Sequence, residues 1–274
     1  MKKIAFHIGF HKTGTTWLQN TYFSNQNKFC LLNDSSKPWD DALIKEIVTQ
    51  ESFNFDVNKL KRIISQRYNQ NTFNIISAER LSGHPISGGF DVKQIAKRIN
   101  LACPNAKIII TKREVKSFIV SVYKQMIREG YCGYIEDFLF NKNWKTVNTS
   151  KDYFFQEKII NNYRKLFGPE NVLVLNFDEF TCDKDAYLRK IEKFLNLENN
   201  NLESGNLQKV VNKAFSDRRM KAIRLLNRIR KTEHNPFPII NIGTKQVFFW
   251  SKILSFFISK KLIIDIEIIN KYIK

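Results

Sequence analysis

Acidic residues are scarce in this chain. Twenty-six Asp and Glu stand against 45 Lys and Arg over 274 residues, a formal net charge of +19. Such a surface fits anionic partners: a phosphate-bearing small molecule, an anionic polymer or a membrane surface. Nucleic acid is not expected, because Lys and Arg are scattered, with neither zinc-finger spacing nor an RNA-binding aromatic signature. Abundant Lys, Asn and Ile together also fit an AT-rich genome, in which case part of the charge is neutral drift.

Cysteine is equally thin. Cys30, Cys103, Cys132 and Cys182 are widely spaced, with no C-x-x-C pair and no His at ligand spacing. Free thiols in a reducing compartment are therefore expected, and no metal. No apolar run reaches the roughly eighteen residues of a spanning helix, and the N-terminus shows no signal-peptide pattern. A cytoplasmic location is the expectation, with one qualification at the C-terminus below. Internal repeats and low-complexity linkers are absent too.

What is present is an ordinary globular balance, 43% hydrophobic and 26% charged, long enough to bury a full α/β core. Ile4–Ile8, Phe73–Ser77, Lys107–Thr111 and Val172–Phe177 read as short buried parallel strands, β-branched or aromatic runs bounded by polar residues. Helical spacing marks 58–68, 92–101, 115–128, 153–167, 187–197 and 216–231. Strands alternating with helices predict a three-layer α/β sandwich around a central parallel sheet with right-handed crossovers. One domain over 1–274 is expected, with a core at 1–197 and a variable helical part at 198–274, of which 198–212 is a polar, Asn-rich loop.

The first strand runs into Gly9-Phe10-His11-Lys12-Thr13-Gly14-Thr15-Thr16 and then an amphipathic helix start at Trp17 and Leu18. Strand, glycine loop and helix N-terminus together form an anion grip: backbone N–H groups converge, and the helix dipole adds a positive end. Thr13, Thr15 and Thr16 add hydroxyls. An NTP-binding loop reads G-x-x-x-x-G-K-[ST], with Lys after the second Gly. Here Thr15 fills that slot, and Lys12 lies two positions before Gly14.

Two further clusters lie at strand ends. Arg113 follows the third strand, where open α/β sheets bind ligands, and a planar guanidinium suits a phosphate. Ser121, eight residues on and two turns into the next helix, could face the same anion. Glu79 follows the second strand in Ser77-Ala-Glu79, and His84 stands five residues later, before Pro85. His7 reads as a strand residue, and His11 as a residue at the pocket mouth.

G-x-x-K-[ST]-G-[ST]-[ST] resembles the 5′-phosphosulfate-binding loop of sulfotransferases that use 3′-phosphoadenosine-5′-phosphosulfate (PAPS). R-x7-S after the third strand resembles their 3′-phosphate motif. The S-x-E segment is similar to carbohydrate-type and bacterial members, in which such a Glu is the general base. Cytosolic aryl and steroid enzymes place a His in this region, which leaves His84 as Glu79's rival. The late strand, its acidic turn and Lys193-Phe194-Leu195-Asn196-Leu197 extend the likeness over residues 4–197. The R-K-G loop of cytosolic members is absent, with Asn212–Ser216 as a candidate replacement.

The resemblance implies a P-loop-NTPase-like topology and PAPS-dependent sulfuryl transfer to a hydroxyl or amine on a carbohydrate or glycolipid. Lys12 and Glu79 would be catalytic. Lys12, Thr13, Gly14, Thr15, Thr16, Arg113 and Ser121 would bind the donor, without a metal. The alternatives are a P-loop nucleotide kinase or ATP-binding module, and a non-enzymatic basic protein that binds polyanions. The tail from Pro236 mixes aromatic clusters with Lys, as an interfacial helix at the inner face of a membrane would; core closure and dimer packing are the competing readings.

Overall fold

The computed structural model describes residues 3–37, 40–140, 148–197, 215–232, 235, 242–258 and 264–274. Five strands form one sheet: β1 (Ile4–Gly9), β2 (Phe29–Leu31), β3 (Phe73–Ser77), β4 (Lys107–Lys112) and β5 (Val172–Asn176). Every pairing is parallel, in the order β2-β3-β1-β4-β5. The helices of the first half are α1 (Thr15–Trp17), α2 (Ala42–Val48), α3 (Val57–Arg67), α4 (Val92–Ala102), α5 (Val115–Glu129) and α6 (Ile135–Phe140). Those of the second half are α7 (Lys151–Phe155), α8 (Glu157–Phe167), α9 (Phe177–Cys182), α10 (Lys184–Leu195), α11 (Asp217–Asn227), α12 (Thr244–Leu254) and α13 (Ile266–Ile273). The α/β class with a central parallel sheet is as the alternating pattern requires.

Two compact units divide these elements. The first comprises Met1–His84, Gly89–Glu114 and Phe155–Val211, and so holds the whole sheet. β1 and β3 are buried along their full length, which explains their mainly apolar character, with His7, Asn74 and Ser77 as buried polar exceptions. Ala5, Ile75 and Ile109 pack in one core with Leu18, Phe23, Phe29, Leu188 and Ile191. The chain fills the sheet on one side of β1 (β2, then β3) before crossing to the other (β4, then β5). The strand order therefore reverses at β1, and the crevice outside the carboxyl ends of β3, β1 and β4 is where such sheets bind ligands.

The second unit comprises Pro85–Gly88, Val115–Phe154 and Asn212–Lys274. Its core lies on the α5 face carrying Phe118, Ile119, Val122, Tyr123, Met126 and Ile127. α11 joins it through the Asn227 amide, which donates to the Ile127 carbonyl at 2.6 Å and the Tyr131 carbonyl at 3.1 Å.

Several local expectations change: the helix expected over 216–231 ends at Asn227, and the one expected over 187–197 opens earlier, at Lys184. β2, a three-residue edge strand beside β3, carries too little pattern to be read in advance. Val172–Phe177 ends one residue earlier as a strand, and Phe177 opens α9. The helix expected over 153–167 is two helices, interrupted at Gln156, whose φ of 66° is left-handed and incompatible with a continuous turn. The loop expected at 198–212 and residues 212–214 of the suggested replacement segment lie outside the described residues.

Candidate functional site

The loop after β1 is shaped by two left-handed residues, Lys12 at φ 67° and Gly14 at φ 77°. Gly14 caps α1 without a side-chain bond, and its Cα faces the stacked rings of Phe177 and Phe180, which a Cβ would meet at 3.1 and 3.3 Å. At Gly9 a Cβ would run into the Thr15 hydroxyl. Both glycines are thus required by close approach, one of them also by backbone conformation.

The three threonines differ. Thr13 is buried and spends its hydroxyl proton on the Phe10 carbonyl at 2.6 Å, which closes the loop on itself. Thr15 is buried with no hydrogen-bond partner for its hydroxyl among the described residues. Thr16 is exposed. An orphaned buried hydroxyl beside a helix N-terminus fits an anionic oxygen that would complete it.

Glu79 opens a short 3-10 turn two residues beyond β3. His11 Nδ1 approaches its Oε2 at 3.2 Å, and the Lys12 backbone N–H donates to the same carboxylate. Burial alone would raise the Glu79 pKa. The His11 hydrogen bond and charge, together with the Lys12 charge and N–H, outweigh it and hold the carboxyl below the usual range. His84 packs edge-on against His11, ring centroids 5.9 Å apart. The two rival bases therefore stand beside one imidazole.

His7 is a fully buried strand residue. Its Nδ1 lies 2.8 Å from the Ser77 hydroxyl and its Nε2 3.4 Å from the Thr111 hydroxyl, which in turn meets the Tyr187 hydroxyl at 2.6 Å. This polar chain runs from β3 through β1 and β4 to α10. Burial pushes the His7 pKa down to about 4, against the raising effect of the Glu79 charge, so the imidazole is neutral near pH 7.

Arg113 follows β4 in the first unit. Its guanidinium donates to the Lys12 carbonyl at 2.8 Å and lies over the Phe177 ring at 5.1 Å. Its backbone is held by Gln156, whose side-chain amide accepts from the Arg113 N–H at 2.9 Å and donates to the Arg113 carbonyl at 2.7 Å. The structure thus joins Lys12, Glu79 and Arg113 to one loop. Ser121 belongs to the second unit, half-buried on α5. Sequence reasoning missed the bracing roles of Gln156 and of the Arg113 guanidinium toward Lys12. Their partners are 43 and 101 residues away in the chain, and no local signal marks them.

No group of three or more His, Cys, Asp and Glu side chains among the described residues could hold a metal ion. Cys30, Cys103, Cys132 and Cys182 are free thiols. No described helix is long and apolar enough to cross a membrane.

A family model described as "Sulfotransferase domain" matches residues 4–248. No curated protein sequence matches the chain. Among solved structures, the chain is similar to a sulfotransferase from Alicyclobacillus acidocaldarius at 16% identity, covering 83% of this chain and 93% of that one, with a TM-score of 0.50. A mouse sulfotransferase complexed with PAP (3′-phosphoadenosine-5′-phosphate) matches at 17% identity over 83% of this chain and 64% of its own, with a TM-score of 0.41.

Proposed function

The chain belongs to the sulfotransferase domain family, whose members transfer sulfuryl groups, and from that premise we propose that its donor is PAPS, its acceptor a hydroxyl or amine on a carbohydrate or glycolipid, and its base Glu79. One observation carries this reading: an ionised carboxylate is tied to the backbone and side chains of the same loop that carries Lys12. The loop would hold the phosphosulfate through its N–H groups, Lys12 and the hydroxyls of Thr15 and Thr16, with Thr13 and Gly14 shaping it. Arg113 would meet the 3′-phosphate while bracing Lys12, and Ser121 would join it there.

In the proposed reaction the acceptor oxygen attacks sulfur in line with the leaving PAP. The S–O bond to PAP breaks, and the acceptor proton passes to a Glu79 oxygen. A carboxylate has about four acceptor positions, so the contacts from His11 and Lys12 leave room for that proton. Lys12 would neutralise charge growing on the bridging oxygen, an interaction stronger in the transition state than in the ground state.

A kinase or ATP-binding module fits less well. Lys12 precedes the second glycine, and none of the five strands ends in the Asp or Glu that would hold Mg²⁺ in a P-loop NTPase. The proposed transfer needs no metal. A non-enzymatic polyanion binder accounts for the charge but gives no role to the His11–Glu79 pair. The experiment is PAP release from PAPS with carbohydrate acceptors, with and without a chelator. Turnover that survives chelation supports the reading; strict Mg²⁺ and ATP dependence contradicts it.

The reading includes a peripheral contact with the inner face of a membrane. Phe249, Trp250, Ile253, Phe256 and Phe257 are exposed at 62%, 50%, 38%, 76% and 83%. Phe249, Trp250 and Ile253 lie on α12 with exposed Lys245 and Lys252, and Phe256 and Phe257 follow in the turn beyond it, the aromatic and basic mix of an interfacial segment. Val247 and Ser251 face inward instead, so core closure does not account for these aromatics.

A further inference from the structure

His11 sits one position before Lys12 in the loop, yet its contacts run to the end of another strand. Its side chain is only 9% exposed, and Nδ1 lies 3.2 Å from Glu79 Oε2. Nε2 has no hydrogen-bond partner among the described residues. A buried nitrogen without a partner carries a desolvation cost, and such a group calls for a functional explanation. One ring face is closed by the edge-on His84.

We propose that His11 is the positioning residue of the proton acceptor: its Nδ1–H fixes one Glu79 oxygen and leaves the other to face the acceptor hydroxyl. The inference rests on Glu79 being the base. With Nδ1–H donating, the carboxylate is held against rotation, and its reactive oxygen keeps one orientation from turnover to turnover. The same contact favours the ionised carboxylate. The charged and titratable groups around the pair are Lys12 on the loop, His7 on β1, and His84 beyond the 3-10 turn. Arg80, the next residue, is occupied by Asp91 at 2.6 Å. His11 meets Glu79 through a side-chain hydrogen bond.

The test follows sulfuryl transfer from PAPS against pH for the wild type, His11→Ala, His11→Asn and Glu79→Gln, with PAP binding by calorimetry alongside. Asn places an N–H near the Nδ1 position, so His11→Asn keeps the bond to Glu79 and removes the imidazole ring with its electrostatic support of the carboxylate. In His11→Ala, kcat should fall about tenfold or more with PAP affinity nearly unchanged, as loss of one charge-assisted bond implies. The acid limb of its pH profile should move to higher pH, because Glu79 loses the contact that holds it ionised. His11→Asn should regain most of kcat, with an acid limb still displaced upward. An unmoved acid limb in either folded variant, or equal loss of kcat in Ala and Asn, overturns the inference while leaving Glu79 as base. Full turnover in Glu79→Gln, or a wild type that transfers nothing from PAPS, overturns the underlying reading and this inference with it. Should His11→Ala fail to fold, the His11→Asn profile decides.

Discussion

The side-chain amide of Gln156 grips both backbone polar groups of Arg113, at 2.9 Å to the N–H and 2.7 Å from its own NH2 to the carbonyl. Gln156 does so from a left-handed conformation, φ 66°, that costs a non-glycine residue about 1–2 kcal/mol. Arg113 in turn donates to the Lys12 carbonyl, so strain at Gln156 is offset by contacts that brace the loop after β1.

Gln156→Ala should therefore destabilise the fold by about 1–3 kcal/mol, since it keeps the strained backbone and strips two bonds from Arg113. Urea unfolding measures this. PAP affinity should fall in the same variant; unchanged stability would show that Gln156 is not the clamp.

The buried His7 makes stability depend on pH. Burial pushes its pKa down to about 4, below the ordinary imidazole value of 6.5, so the unfolded chain binds more protons between those values. The contribution is present above pH 6.5 and is lost as the pH falls toward 4. At about 1.4 kcal/mol per pH unit it reaches roughly 3 kcal/mol. Unfolding curves at pH 7 and pH 5 should converge in His7→Gln relative to the wild type; equal slopes in both would contradict a neutral buried His7.

Much of this was legible in advance. β1, β3 and β4 lie within one residue of their expected ends because parallel strands covered on both faces are short, mostly apolar runs bounded by polar residues. Lys12, Glu79 and Arg113 were marked by standing just past those strands. Other features depend on tertiary contact and leave no periodic trace: the tie between His11 and Glu79, the break at Gln156, and the outward face of α12. Phe249 and Phe257 look alike whether they close a core or face solvent, and only burial separates the cases.

Glu79→Gln should lower turnover by about a hundredfold or more while PAP still binds, the usual cost of losing a general base. Lys12→Ala should damage turnover and PAP affinity together. His84→Ala should do little, since the proposed base is Glu79. Steady-state kinetics with parallel PAP titrations separate the three; a dead His84→Ala beside an active Glu79→Gln would transfer the base assignment to His84.

For the tail, replacing Phe249, Trp250, Phe256 and Phe257 together by Ser should abolish flotation with anionic phosphatidylglycerol vesicles without altering the unfolding transition. High salt should weaken wild-type flotation, as screening of Lys245 and Lys252 requires. Equal flotation of wild type and variant would remove the membrane contact from the account.

Donor recognition is the central claim, and titration calorimetry with PAP and with ADP under one buffer tests it most directly. PAP carries the 3′-phosphate proposed to meet Arg113 and Ser121, whereas ADP has a free 3′-hydroxyl and a second phosphate at its 5′ end. Loss of a charge-assisted contact of that kind is worth on the order of 1.5–3 kcal/mol, about ten- to a hundredfold in affinity. PAP should bind tighter than ADP by at least that tenfold, with the margin shrinking in Arg113→Ala and Ser121→Ala. Equal affinity for PAP and ADP in the wild-type protein would contradict the account.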